Sequence, residues 1–100
     1  MVVKNDTLQR AVQSSAECGN KLVNFDDVIW PHEVSDIARE LNEMHTKEFT
    51  ISVCATNLIE ILSLFEKEGF KVRGTISVKK LYDANKEIPA LLLKATGKKN

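Results

Sequence analysis

Cys54 is the residue whose setting could do the most chemistry. It ends the alternating run Phe49-Thr50-Ile51-Ser52-Val53-Cys54 and stands just before an apolar helical pattern that opens after Thr56. A thiol between a strand end and a helix start is where the helix dipole favours the thiolate, and so a nucleophile. A phosphatase-type loop also needs an arginine six residues on, and position 60 is Glu. No glycine between 54 and 60 lets the backbone wrap an anion. Cys54 therefore reads as a small residue closing a strand. His32 and His45 lie thirteen apart on one predicted helix, too far to share a metal. There is no Cys-x-x-Cys, no His-x-x-x-His and no acidic metal-binding loop, so neither a metal nor any cofactor is expected. With two histidines and no nucleophile-elbow motif, the serines have no placed base. The expectation is a protein that is not an enzyme.

Binding is what remains, and the charges speak to it. Residues 1–70 carry six Lys/Arg and twelve Asp/Glu, a net of −6, while residues 71–100 carry eight and two, a net of +6. The overall charge of zero hides this segregation, which bears on partners rather than on fold. Lys71, Arg73, Lys79, Lys80, Lys86 and Lys94, with Lys98 and Lys99 behind them, are candidates to bind nucleic acid or another anion by releasing counterions. Tyr82 among them could stack on a base. The same lysines have a second meaning, because cations on an exposed strand deter edge-to-edge pairing. Trp30, the sole tryptophan, can anchor a protein interface or pack beside Pro31. Glu40 and Glu43, near Glu48, can offer an acidic surface to a basic partner or simply form a solvated helix face. The expected function is protein association, as a homo-oligomer or as a regulator of a larger partner. The alternative is nucleic-acid binding through a basic C-terminal hairpin.

The elements that must position these residues follow from periodicity. One hundred residues, 43% hydrophobic and 28% charged, suit one folded domain. Residues 4–18 suggest a weakly amphipathic helix with Leu8, Ala11, Val12, Ser15 and Ala16 on its narrow apolar stripe, stopped by Gly19-Asn20. Within 21–30 a short strand falls at Leu22 to Phe25 or at Val28 to Trp30. Pro31 suits the first turn of a helix, on which Val34, Ile37, Ala38, Leu41 and Met44 form one buried face. Thr56 is a plausible N-cap for a second helix, whose inner face is Leu58, Ile61, Leu62 and Phe65, widened by Ile59 and Leu64. Gly69 fits its left-handed end. Lys71 to Val78 alternates as a half-exposed strand, 79–87 reads as a polar loop, and Ala90 to Ala95, entered by Pro89, is a strand apolar on both faces.

The resulting layout is an N-terminal helical arm (1–20), a single α/β domain (21–97) and a basic tail (98–100). The order β-α-β-α-β-β, with a right-handed crossover and the doubly apolar last strand placed centrally, gives a mixed four-stranded sheet in order 1-2-4-3. It is an α+β two-layer sandwich with two helices on one face. The other face is left polar, with Thr50, Ser52, Arg73, Thr75 and Ser77, unless the N-terminal helix covers it. With Pro31 opening the first helix and a basic hairpin before the last strand and lysine tail, this order resembles that of the Alba chromatin proteins and the C-terminal domain of bacterial translation initiation factor three. It is also similar to the TusA/SirA sulfur carriers, but those carry Cys-Pro where this chain has Trp30-Pro31, so their activity is not implied. The chain shows no secretory signal and no apolar run of membrane-spanning length. A cytoplasmic protein with two free thiols is expected.

Overall fold

A computed structural model describes residues 3–52, 57–80 and 83–96, with the backbone alone at Lys80 and 83–85. Its elements are α1 (Asp6–Cys18), β1 (Asn24–Phe25), a 3₁₀ turn (Pro31–Glu33) leading into α2 (Val34–Glu43), β2 (Glu48–Ser52), α3 (Leu58–Lys67), β3 (Phe70–Lys80) and β4 (Asp83–Ala95). The strands form one mixed sheet in the order β1-β2-β4-β3, as the sequence predicts. β1 runs parallel to β2, and β4 is antiparallel to both its neighbours.

The predicted face of α2 is the buried one: Val34, Ile37, Ala38 and Leu41 are all shut from solvent. Pro31 opens the preceding turn, where its missing N–H is not needed. His45 ends the helix at φ 59°, and the Thr46 N–H reaches back to the Leu41 carbonyl at 2.9 Å. This is the left-handed ending that glycine usually supplies. Gly69 does supply it after α3, at φ 92°. Phe70 then turns inward against Phe49 and Phe65, with ring centroids 5.2 and 6.4 Å away. Phe25 and Phe65 complete a cluster around Phe49 at 5.5 and 5.1 Å.

Alternation along β2 sends Phe49 and Ile51 to this helix-covered face and Thr50 and Ser52 to the other, yet all four are buried. The polar pair is satisfied by Asn24. Thr50 Oγ1 donates to Asn24 Oδ1 at 2.8 Å, and Asn24 Nδ2 donates to Ser52 Oγ at 3.3 Å. Ser15 of α1 takes the Asn24 backbone N–H at 2.8 Å, the hydrogen bond that β1 would otherwise offer to another strand. α1 therefore closes the β1 edge, while its Leu8 and Ala11 join the same core as α2 and β2. Ala16, placed on the apolar stripe by periodicity, is exposed.

The hairpin departs most from expectation. Residues 79–87 were expected as a polar loop, but β3 runs to Lys80 and β4 starts at Asp83, with Lys79 opposite Glu87. The register slips between Val72 and Gly74, leaving Arg73 as the extra residue of a bulge. A bulge inverts the side-chain phase. Beyond it, Thr75 pairs with Leu91, on the helix-covered face of Ile51, and Ile76 pairs with Ala90, on the face of Ser52. Thr75 and Ser77 are thus not on the face with Thr50, and Val72 and Ile76 are on opposite faces. From Lys71 to Ser77 the strand is exposed on both faces rather than half-exposed.

Removing the Asn24 side chain leaves the Ser52 hydroxyl without its donor and Thr50 without its shortest acceptor in a closed site. Asn24→Ala is expected to cost about 2 kcal/mol, as for buried groups left unpaired. Urea denaturation measures it, and a loss under about 0.5 kcal/mol would show that the network carries no stability.

Candidate functional site

β3 is an outer strand paired on one side only. Ladder geometry fixes which of its backbone groups look outward, because successive residues of an antiparallel strand alternate in direction. The Lys79 N–H donates to Asn20 Oδ1 at 2.9 Å, and Asn20 Nδ2 donates to the Lys79 carbonyl at 3.2 Å. Both Lys79 groups are thus turned away from β4. Alternation turns those of Ser77 and Thr75 outward too. Pro89 sits opposite Ser77, at the one kind of position where its missing N–H costs the hairpin nothing. Among the described residues, Asn20 is the one group that hydrogen-bonds β3 on its outer side.

An apolar groove flanks this edge. Ile59, Leu62, Ser63 and Glu66 of α3 line it with Lys71 and Val72 of β3. Ile59 is 86% exposed and Val72 36%. Ile59 was expected to widen the buried face of α3, but that face is filled by Ile61 and Phe65. At about 100° per residue, Ile59 lies on the far side of the helix from Ile61. The spacing of Ile59, Leu62 and Glu66 at three and four residues was the available signal for a second stripe. α3 is accordingly less buried than α2, the reverse of what its apolar content suggests.

The predicted cations do not form one continuous track. Lys71, Arg73 and Lys79 are exposed along β3, and Lys86 is exposed on β4. Lys94 is cross-strand neighbour to Lys71 but pairs with Glu48 at 3.2 Å. Lys79 has Glu87 opposite it. Of Lys80 only the backbone is described; Tyr82, Lys98 and Lys99 lie outside the described residues, as do Cys54 and Thr56. Cys18 is a free, half-buried thiol. Among the described residues no cluster of His, Cys, Asp and Glu could hold a metal, and no helix is long and apolar enough to cross a membrane.

The acidic candidates are occupied. Glu40 does not face a partner: it is 5% exposed, and its carboxylate accepts the backbone N–H groups of Lys4 and Asn5 where the N-terminal segment meets α2. Helical spacing gives it a polar position, but only the docking of residues 3–18 covers that position. Glu43 is engaged with Arg39 at 3.8 Å, and Asp36 with the same guanidinium at 3.2 Å. Trp30 is 56% exposed rather than packed against Pro31.

Glu33 is a hub that periodicity did not reveal. It accepts from Thr7 Oγ1 at 2.8 Å, Trp30 N–H at 3.0 Å and Asn5 Nδ2 at 3.2 Å. Burial alone would raise its pKa; these donors and nearby His32 outweigh that and hold the carboxyl below the usual value of 4.5. A depressed pKa contributes stability above 4.5 that fades as pH falls through the lower folded value. The Tm gap between the native chain and Glu33→Gln is therefore expected to be widest above pH 4.5 and to narrow as pH falls below it. A gap that does not change with pH would contradict the assignment.

No curated protein and no solved structure matches the chain significantly. One family model does match, over residues 7–95, from the first turn of α1 to the last residue of β4. The chain belongs to that family, DUF7698, described as a domain of unknown function.

Proposed function

We propose that this protein is a non-enzymatic protein-association module whose docking surface is the outer edge of β3 with its groove against α3. The observation that supports this reading is the state of β3 from Lys71 to Ser77: outermost in the sheet and exposed on both faces. Exposed backbone of this length is a template for pairing, and Ile59, Leu62 and Val72 give it an apolar flank. Nucleic-acid binding is less well supported. It needs cations that follow a phosphate backbone, and Glu48 and Glu87 interrupt them at Lys94 and Lys79.

A photo-crosslinking residue placed at Thr75, compared with one at Glu43 on α2, tests the reading in native extract. Adducts are expected at Thr75, resistant to nuclease and removed by protease. Ile59→Asp with Val72→Asp should abolish them while shifting stability by no more than about 0.5 kcal/mol, as for exposed sites. Adducts that vanish with nuclease, or that form equally at both positions, would overturn it.

A further inference from the structure

Building on the docking edge just proposed, we infer that β3 receives a carboxylate-rich extended segment of another protein, added to the sheet as a fifth strand beside Phe70 to Ser77. Asn20 already shows the chemistry in miniature. Its side-chain amide donates to and accepts from the same residue, Lys79, as a neighbouring strand would. It also sets the far limit of the site, because it occupies the outward groups just past Ser77. The outward groups of Thr75 and Ser77 are left for a ligand, and pairing of this kind draws affinity from main-chain hydrogen bonds and specificity from alternate side chains.

Charge decides between occupants. β3 carries Lys71, Arg73, Lys79 and Lys80 and no carboxylate. A second copy, laid edge to edge, would bring one such row against another, and like charges directly across a ladder repel. An acidic strand meets the opposite condition. Cations that discourage self-pairing thereby select a partner of the other sign. On the helix-covered face, the groove of Ile59, Leu62 and Val72 can take one apolar side chain of the incoming segment, which therefore alternates carboxylates with apolar residues. The edge is also bulged at Arg73, so the segment pairs regularly with Thr75 and Ser77 beyond the bulge and runs on past Arg73, Val72 and Lys71, which it meets by side chains.

The probes are an eight-residue peptide alternating Glu and Val, its Lys/Val counterpart, the Glu/Val peptide with alternate backbone nitrogens methylated, and a short single-stranded oligonucleotide. Binding to the full chain is followed by fluorescence anisotropy, and amide hydrogen exchange is read residue by residue. The Glu/Val peptide is expected to bind at least tenfold more tightly than the other three and to slow exchange at Thr75 and Ser77. Lys71→Glu with Arg73→Glu should weaken it at least tenfold. Thr75→Pro removes an outward N–H that the hairpin does not use, and should do the same with an unchanged Tm. Should that variant unfold, the methylated peptide reads the same hydrogen bond from the ligand's side. Equal binding of methylated and unmethylated peptides, or tighter binding of the oligonucleotide, would overturn the inference. So would protection of Thr75 and Ser77 that grows with protein concentration alone, since the occupant would then be a second copy. If no peptide binds while nuclease-resistant adducts still form at Thr75, the acidic strand is wrong and the association reading stands.

Discussion

Three aromatic rings converge on Phe49, from β1, from α3 and from the first residue of β3. That contact holds the sheet to its helices. Phe25, Phe65 and Phe70 are each almost wholly buried against it, and edge-to-face rings of this kind add to the gain from burial. β2 has five residues, while β3 has eleven and β4 thirteen. The exposed stretch of β3 is not the overhang, however: Lys71 to Ile76 lie opposite Lys94 to Ala90, which pair in turn with all five residues of β2. Exposure there follows from the outermost place of β3 in the sheet.

The two sheet edges are treated differently. β1 is only two residues long, and Ser15 of α1 engages its outward backbone. With so little pairing of its own, β1 keeps its place through Phe25 on one face and the Asn24 hydrogen bonds on the other. The other edge, β3, is long, and among the described residues its outer side is hydrogen-bonded by Asn20, in the turn after α1. One segment, Ser15 to Asn20, therefore touches both edges. It seals the first and leaves most of the second open.

What could be read in the sequence was what depends on local pattern. α2, with its proline start and its face of Val34, Ile37, Ala38 and Leu41, follows from helical periodicity. The left-handed turn at Gly69 follows from its lack of a Cβ. The strand order follows from the doubly apolar run Leu91-Leu92-Leu93, which needs both neighbours. What could not be read depends on pairing or docking. Lys79, Lys80 and the stretch from Asp83 to Glu87 look like loop because their sequence is polar and does not alternate, and only pairing between the two strands makes them extended. The bulge at Arg73 has no signature in alternation, so every side-chain direction past it was assigned to the wrong face. Glu40 looks like solvated surface on its own helix, and it becomes an internal acceptor only when Lys4 and Asn5 arrive. Ile59 is the opposite case: its apolar side chain suggests burial, but the inner face of α3 is already filled by Ile61 and Phe65.

The same limit applies to charge, and here folding sharpens what the sequence suggests. By count the two parts of the chain are equal and opposite. In the fold four carboxylates are ion-paired, Asp27 with Arg10, Asp36 and Glu43 with Arg39, and Glu48 with Lys94, while Glu33 and Glu40 accept uncharged donors of the N-terminal segment. Exposed pairs of this sort add little stability, but each one cancels the field that a distant partner would feel. Among the described residues, Lys71 and Arg73 have no such counter-ion at hydrogen-bonding range. The pairs with Arg10 and Arg39 already sit inside the balance of −6, and Glu48 with Lys94 takes one charge from each part; what sets β3 apart is that it bears Lys71, Arg73 and Lys79 with no carboxylate on the same strand. That strand is also where backbone hydrogen-bonding groups remain open. A surface that combines unspent cations with unspent donors and acceptors constrains its partner twice, in sign and in conformation.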